Sequence, residues 1–406
     1  MENPPVAPPV VSAAFDYSPR TRVVFGEGVI ARIGELTNDL AARKVLLVTD
    51  PGIVAAGHAS RVTRLLEAAG LAVSCFDGVV ENPTTACVDR CVETARRSRI
   101  DTIIGLGGGS SMDTAKGCNF ILTNGGHMRD YQGIGKAKNP MLPLIAVPTT
   151  GGTGSECQSF ALITDEITHQ KMACGDPKAA ARVAILDPVL TLSQPPRVTA
   201  CAGIDAVAHA VETAVTRKRT CLSELFSREA FRLTVAGLPR VLESPTDIEA
   251  RGWMLLGAAW AGTAIENSML GAAHAAANPL TAEFGVAHGH DVGLMLPHVV
   301  RFNSRNPQAA SGYAQLVAAA RLAPQGGTPE AAAEHLACQV EQFMDLAILS
   351  RSLEALGIEQ GALPRLAAAA ASQWTAQFNP RPVAAADFEA IYAQALVAPK
   401  SSMAPQ

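Results

Sequence analysis

The apolar and polar positions of the chain change rhythm once. Up to residue 195, short runs of Val, Ile and Leu alternate with stretches whose apolar residues recur every three or four positions. KVLLVTD at 44–50, LAVSCFDG at 71–78, IDTIIGL at 100–106 and LPLIAVPTT at 142–150 have the length and β-branched content of strands. Several are apolar throughout. A strand apolar on both faces is buried on both faces, which predicts a mostly parallel sheet sandwiched between helices. TRVVFGEGVI at 21–30 reads as a strand and turn entering a short helix, and ENPT at 81–84 as a turn. Residues 57–70 and CVDRCVETARRSR at 87–99 carry the helical period. Beyond DPVLTLSQP at 187–195, strand-like runs become rare, and Ala, Leu, Glu and Arg recur at helical spacing to the end. The expected architecture is therefore α/β plus all-α. An N-terminal parallel-sheet domain spans 1–195 and a C-terminal all-helical domain spans 196–406. Residues 1–12 read as a Pro-rich frayed end, and APQGGTPEA at 323–331 as a surface loop.

Composition narrows the class of function. A length of 406 residues suits two or three domains. Thirty-three basic against 37 acidic side chains leave a net charge of -4, with no basic stripe to neutralise a phosphate backbone. Nucleic acid is therefore not an expected partner. No run approaches the roughly 18 continuous apolar residues of a membrane span. Nine cysteines, an odd number at irregular spacing, read as reduced thiols of a cytoplasmic protein. MENPPVAPPV lacks the basic and apolar regions of a signal peptide.

Two loops at strand ends are candidates for holding a ligand. GLGGGSSMDTAKG at 105–117 places three glycines after an apolar strand and before a helix. There the backbone is open to close approach and free N–H groups point at one spot, as an anion requires. A merely tight turn gives the same pattern. Asp50 ends the strand KVLLVTD. It suits either a ribose hydroxyl or a cap on the following turn. PTTGGTGSE at 148–156 is a second loop of small and hydroxyl residues.

The histidines carry the other signal. Asp205 and His209 are four apart in TACAGIDAVAHAVET, so both project from one helix face. His274 sits among alanines, and His288 and His290 follow in VAHGHDVG. One carboxylate and three imidazoles drawn from these residues would suit Fe(II), Zn(II), Ni(II) or Co(II) better than Ca(II) or Mg(II). Scattered structural histidines, or an acid–base dyad without metal, fit the same residues. His58, His127, His169, His298 and His335 read as ordinary.

GGGSSMDTAKG, VPTTGGTGSE, AILDPVL, GIDAVAHAVE and HAAANPLTAEFGVAHGHDVGLMLPHVVRFN follow one another in an order that resembles the iron-containing (group III) alcohol dehydrogenase family, over roughly residues 20–385. The resemblance implies a Rossmann-like nucleotide-binding domain and a helical metal-binding domain, the dehydroquinate synthase-like fold, with the active site between them. It implies metal ligation by Asp205, His209, His274 and His288, and a pyrophosphate loop at Gly107, Gly108, Gly109 and Ser110. Asp113 falls in the same motif, Thr149, Thr150 and Ser155 match the segment lining the nucleotide, and Asp50 matches the acidic position that selects NAD. The implied activity is hydride transfer between NAD(H) and an alcohol, aldehyde or ketone at a divalent metal. Iron is the first expectation and zinc the next, in a cytoplasmic homodimer.

One position departs from the pattern. Many members carry a second histidine four residues beyond the third ligand, where this chain has Asn278. An amide hydrogen-bonds but shuttles no proton near neutrality. Proton release would then run through water, the nicotinamide ribose or another group, of which His290 is a candidate. Other readings keep the fold. A polyol or hydroxy-acid dehydrogenase would use cations such as Lys218 or Arg219, and a lyase related to dehydroquinate synthase would use NAD transiently. A nucleotide-binding regulatory protein is the non-enzyme alternative. Trp253, Trp260 and Phe284 are candidate pocket walls.

Overall fold

A computed structural model describes residues 15–168, 170–322 and 327–397. Residues 1–12, His169 and the start of the loop expected at 323–331 lie outside the described residues. The first half alternates as its pattern predicts. Its elements are β1 (Arg22–Phe25), α1 (Ile33–Asn38), β2 (Lys44–Val48), α2 (Pro51–Ala55), α3 (His58–Ala68), β3 (Ala72–Phe76), α4 (Thr85–Ser98), β4 (Thr102–Gly107) and α5 (Gly109–Asn124). They continue with β5 (Gly133–Ile134), β6 (Leu144–Pro148), β7 (Phe160–Thr164), β8 (Lys171–Gly175) and β9 (Val183–Leu186).

Six strands form one parallel sheet in the order β1–β9–β6–β4–β2–β3. Every residue of β4 and β6, in the middle of the sheet, is buried. Successive residues feed opposite cores, as the period of two requires. Leu46 and Ile103 pack with Met112 and Cys118 beneath α4 and α5. Val45, Leu47 and Ile104 pack with Val62 and Leu66 beneath α1 and α3.

The sequence pattern did not predict a second, three-stranded sheet, β5–β8–β7. In it β7 and β8 pair antiparallel, Phe160 opposite Gly175 and Thr164 opposite Lys171. Both strands carry half-buried positions (Leu162 and Thr164, Lys171 and Ala173), and polar residues separate them, so no continuous buried run announces the pair. The hairpin positions Phe160, Leu162, Lys171 and Ala173 on the wall of a cleft.

From Pro196 onward every described regular element is helical. The long helices are α6 (Pro196–Thr213), α7 (Cys221–Glu243), α8 (Ile248–Ser268), α9 (Ala272–Phe284), α10 (His288–Asn303), α11 (Pro307–Ala319), α12 (Pro329–Leu346), α13 (Leu363–Ala371) and α14 (Ala385–Leu396). α6 packs against α7, α8 and α10, largely through alanine and glycine. At Gly289 the approach is so close that an added Cβ would lie 2.0 Å from the Cys201 carbonyl oxygen of α6. The two halves meet where Leu255 and Ala259 of α8 pack on Ala184 and Leu186 of β9. A carboxylate ties the same seam, Glu266 accepting from the Ser159 backbone N–H at 2.9 Å. Among the described residues no helix is long and apolar enough to cross a membrane.

Candidate active site

Strands β2, β4 and β6 all end at one edge of the sheet, and the cleft opens there, as it does in open parallel sheets generally. Gly107 ends β4 with φ +144°, a conformation that disfavours side chains, and a Cβ would meet Ser111 Oγ at 2.5 Å. α5 starts at Gly109 with Gly108 as its N-cap, so free N–H groups face the cleft. A cavity of about 440 Å³ lies there, lined by Asp50, Gly108, Ser110, Thr149 and Thr150 among others. For Asp50 the capping role is observed, alongside a place in the cavity wall. It caps α2 by accepting from the Ile53 N–H at 3.1 Å, and it lines this cavity.

Ser110, with Glu81 and Val198, also lines a second cavity of about 420 Å³, so the two are neighbours along the cleft. Gly109, Asp113 and Ser155 border this second space. Asp113 accepts from Ser155 Oγ at 2.8 Å and from the Leu162 N–H at 3.2 Å. Burial raises its pKa, against the pull of the Lys116 ammonium. Lys116 is wholly buried and donates to the Ser155 carbonyl oxygen at 2.7 Å and the Phe160 carbonyl oxygen at 2.9 Å.

The far end of this cavity holds Asp205, His209, His274 and His288. One ligand atom from each of Asp205, His209 and His274 lies within 4.8 Å of the others, and all three residues are buried. Asp205 Oδ1 is 3.5 Å from His209 Nε2 and 3.3 Å from His274 Nε2. The His209 and His274 rings stack at 4.7 Å, and the His288 ring centre stands 5.5 Å from that of His274. His288 therefore lies beside the three-residue cluster rather than within it.

Burial would raise the Asp205 carboxyl, but His209 and His274 outweigh it and hold the group well below the usual range. Burial also opposes charge on His274, yet the Glu212 and Asp205 carboxylates hold that ring up to about 9. Burial takes His288 down to about 3, leaving a neutral imidazole with a free lone pair. Glu212 is the residue sequence reasoning missed. Its Oε2 lies 2.5 Å from His274 Nδ1, and its Oε1 accepts from the Ala273 N–H at 2.7 Å. The signal was present, since Asp205, His209 and Glu212 share one face of α6 at i, i+4 and i+7. An outer carboxylate of this kind fixes the ring and directs Nε2 toward the cluster. A buried O/N/N donor set with an orienting carboxylate fits a divalent transition metal.

Comparison with known proteins agrees with this arrangement. The profile described as iron-containing alcohol dehydrogenase matches residues 19–188. The profile described as Fe-containing alcohol dehydrogenase family, C-terminal, matches residues 199–396. The chain belongs to the iron-containing alcohol dehydrogenase family. It is thus an oxidoreductase of the alcohol dehydrogenase class. Among its relatives, the NAD-dependent methanol dehydrogenase of Bacillus methanolicus is 31% identical, over 92% of this chain and 97% of that protein. The 1,3-propanediol dehydrogenase of Klebsiella pneumoniae is 32% identical, over 94% and 98%. A solved structure of 1,3-propanediol oxidoreductase matches with a TM-score of 0.91 at 31% identity, covering 95% of this chain and all of that one.

Within this family fold, the walls differ from what the sequence suggested. Trp253 lies under the Arg240 guanidinium, while Trp260 and Phe284 pack on the helical core. None of the three borders either cavity. Lys218 sits over the Phe378 ring and Arg219 pairs with Glu224, both outside the cavity linings. The Lys and Arg side chains that do line the second cavity are Lys171 and Arg197. His290 is also elsewhere, with Nε2 bonded to the Ser350 carbonyl oxygen at 2.8 Å. Asn278 does line the cavity, together with Gln373 and Trp374. Trp374 stacks on Phe160 across the cleft at 5.7 Å.

Proposed function

We propose that the chain is an NAD-dependent dehydrogenase that interconverts small alcohols and their aldehydes or ketones at a divalent metal, iron first and zinc as the alternative. The observation that carries this reading is the adjacency of two cavities that share Glu81, Ser110 and Val198, one at a strand-end glycine loop and the other at the Asp205–His209–His274 cluster. Residues 1–195 would act as the dinucleotide domain and 196–406 as the metal domain. When bound, the metal supplies a Lewis acid for the substrate oxygen and the dinucleotide a hydride acceptor, so that an alcohol and NAD⁺ give a carbonyl, NADH and a proton.

The chain's own residues bind, orient and exclude. Gly107 turns the chain out of β4, and Gly108, Gly109 and Ser110 then offer backbone N–H groups at the start of α5 to a pyrophosphate. Asp50 presents a carboxylate that accepts from ribose hydroxyls and repels a 2′-phosphate, which favours NAD over its phosphorylated form. Thr149 and Thr150 line the same space, and Asp113 with Ser155 forms the floor beyond it. Asp205, His209, His274 and His288 would hold the metal, with Glu212 steadying His274. The stacked Phe160 and Trp374 rings screen the reacting region from water. Asn278 takes no proton, so proton release falls to water or the ribose hydroxyl.

The proposal extends to a cytoplasmic homodimer. Cys87, Cys91, Cys118, Cys157, Cys174 and Cys201 are buried and form no disulfide among the described residues, which accords with a reducing compartment. β1 lies at an edge of the sheet with Phe25 exposed, a surface on which a second copy can pair. The test of function is anaerobic NADH oxidation by metal-stripped protein with and without added Fe(II), against short aldehydes, ketones and 2-oxo acids. Metal-dependent loss of NADH absorbance is the expected result. No oxidation of any substrate, with NADH binding and metal loading verified, would overturn the reading.

A further inference from the structure

One wall of the reaction cavity addresses the substrate's second substituent. Asn278 projects from α9 one turn beyond His274, and Gln373 stands just before the short turn Trp374–Phe378. Asn278 Nδ2 donates to Gln373 Oε1 at 3.1 Å, and both side chains border the space that holds Asp205, His209 and His274. The Gln373 backbone is fixed on both sides. Its N–H donates to the Ala370 carbonyl oxygen at 3.0 Å, and its own carbonyl accepts from the Ala376 N–H at 3.1 Å.

Each side-chain amide carries one accepting oxygen and one donating NH₂. The single bond between them occupies one oxygen and one N–H. Asn278 Oδ1 and Gln373 Nε2 remain, without another protein partner among the described residues. Exchanging the two amide orientations swaps which residue donates but leaves the same remainder, one acceptor beside one donor. A hydroxyl is the small neutral group that both donates and accepts. A carboxylate or sulfonate would meet the free carbonyl oxygen with a second acceptor, and an ammonium would meet the free NH₂ with a second donor.

The charges around the cavity point the same way. Lys171 and Arg197 are matched by Glu81 and Asp113, since Asp205 belongs to the histidine cluster. Lys171 Nζ is also engaged by Asn82 Oδ1 at 3.3 Å. Nothing there draws an anion preferentially, while Leu162, Ile265 and Leu270 line the rest of the space with hydrocarbon.

We propose that the Asn278–Gln373 pair is a hydroxyl-recognition site, so that the preferred substrates are hydroxyaldehydes and diols whose second hydroxyl lies one or two carbons from the reacting carbon. This rests on the dehydrogenase reading above and specifies its substrate class. One helical turn, about 5.4 Å, separates Asn278 from His274, which matches the reach of such a hydroxyl.

The test compares kcat/KM of the metal-loaded enzyme with NADH for 2-hydroxypropanal and 3-hydroxypropanal against propanal, glyoxylate and a quaternary-ammonium aldehyde. Wild type is expected to favour a hydroxyaldehyde over propanal by roughly tenfold, the scale of one or two neutral hydrogen bonds. Gln373→Leu and Asn278→Ala should each bring that ratio toward one, through KM for the hydroxyaldehyde rather than kcat. The double variant should add little to either single one. A wild-type preference for propanal or for either charged aldehyde overturns the inference. So does an unchanged ratio in both variants with a lowered melting temperature, which would make the pair only a tie between α9 and the 374–378 turn. Loss of NADH oxidation with every aldehyde would instead remove the dehydrogenase reading beneath it.

Discussion

Single side chains set the chemistry of this site, and two of them make it testable away from the reacting atoms. Glu212 touches His274 but borders neither cavity. Glu212→Gln is expected to weaken metal binding by about 10–100-fold, read by competition with a chelator, because the ring loses the carboxylate that orients it. Glu156 lies in the buried polar layer with Lys116. Burial pushes its carboxyl up to about 7 against the Lys116 charge, and Oε1 has no hydrogen-bond partner. A folded-state value above the unfolded one, about 4.3, gives stability that is complete below the unfolded value and lost as pH rises through 7. Glu156→Gln should therefore melt with wild type at pH 5 and a few degrees above it at pH 8, by scanning calorimetry. Residue types and spacing made Asp205, His209 and His274 legible in the sequence. They could not place His290, because its helix turns it toward Ser350, or expose Lys171, because nothing in its neighbourhood marks a cation facing a cavity.

At the scale of elements, helix-to-helix distance decides whether the histidines meet. Gly289 follows His288 and lies against Cys201 on α6. Gly289→Ala must push α10 away from α6, and overpacking of this kind costs about 1–3 kcal/mol. His288 moves with α10, so metal affinity should fall together with the melting temperature. A variant that binds metal as wild type does would separate His288 from the metal site. The long apolar strands were legible because each is buried on both faces, and the helices because their period persists over several turns. The β7–β8 hairpin was not, since its strands are only partly buried, lack the continuous apolar run of β6, and are specified by their pairing with each other. That is why the cleft wall it forms went unread. Asp50 was legible only as an alternative, because the cap on α2 and the cavity lining share one carboxylate.

Over the whole molecule, the two ligand sites belong to different stretches of chain. The proposed metal ligands fall between residues 205 and 288, and the proposed nucleotide loops between 50 and 155. Stripping the metal should lower the melting temperature, and NADH should raise it, each following its own ligand concentration. A ligand held at a hundredfold its Kd contributes about 2.7 kcal/mol, so both shifts are measurable by calorimetry. The change of rhythm near residue 195 made the passage from strands to helices legible, whereas the seam of Leu255, Ala259 and Glu266 was not, because contacts between distant segments leave no local period. The seam and the helices behind the histidines leave little room for change, while the opposite wall rests on a five-residue turn, Trp374–Phe378. Randomised libraries meant to broaden what the enzyme accepts should therefore be concentrated at 373–375. The same diversity placed on α6 or α10 would mostly yield misfolded clones.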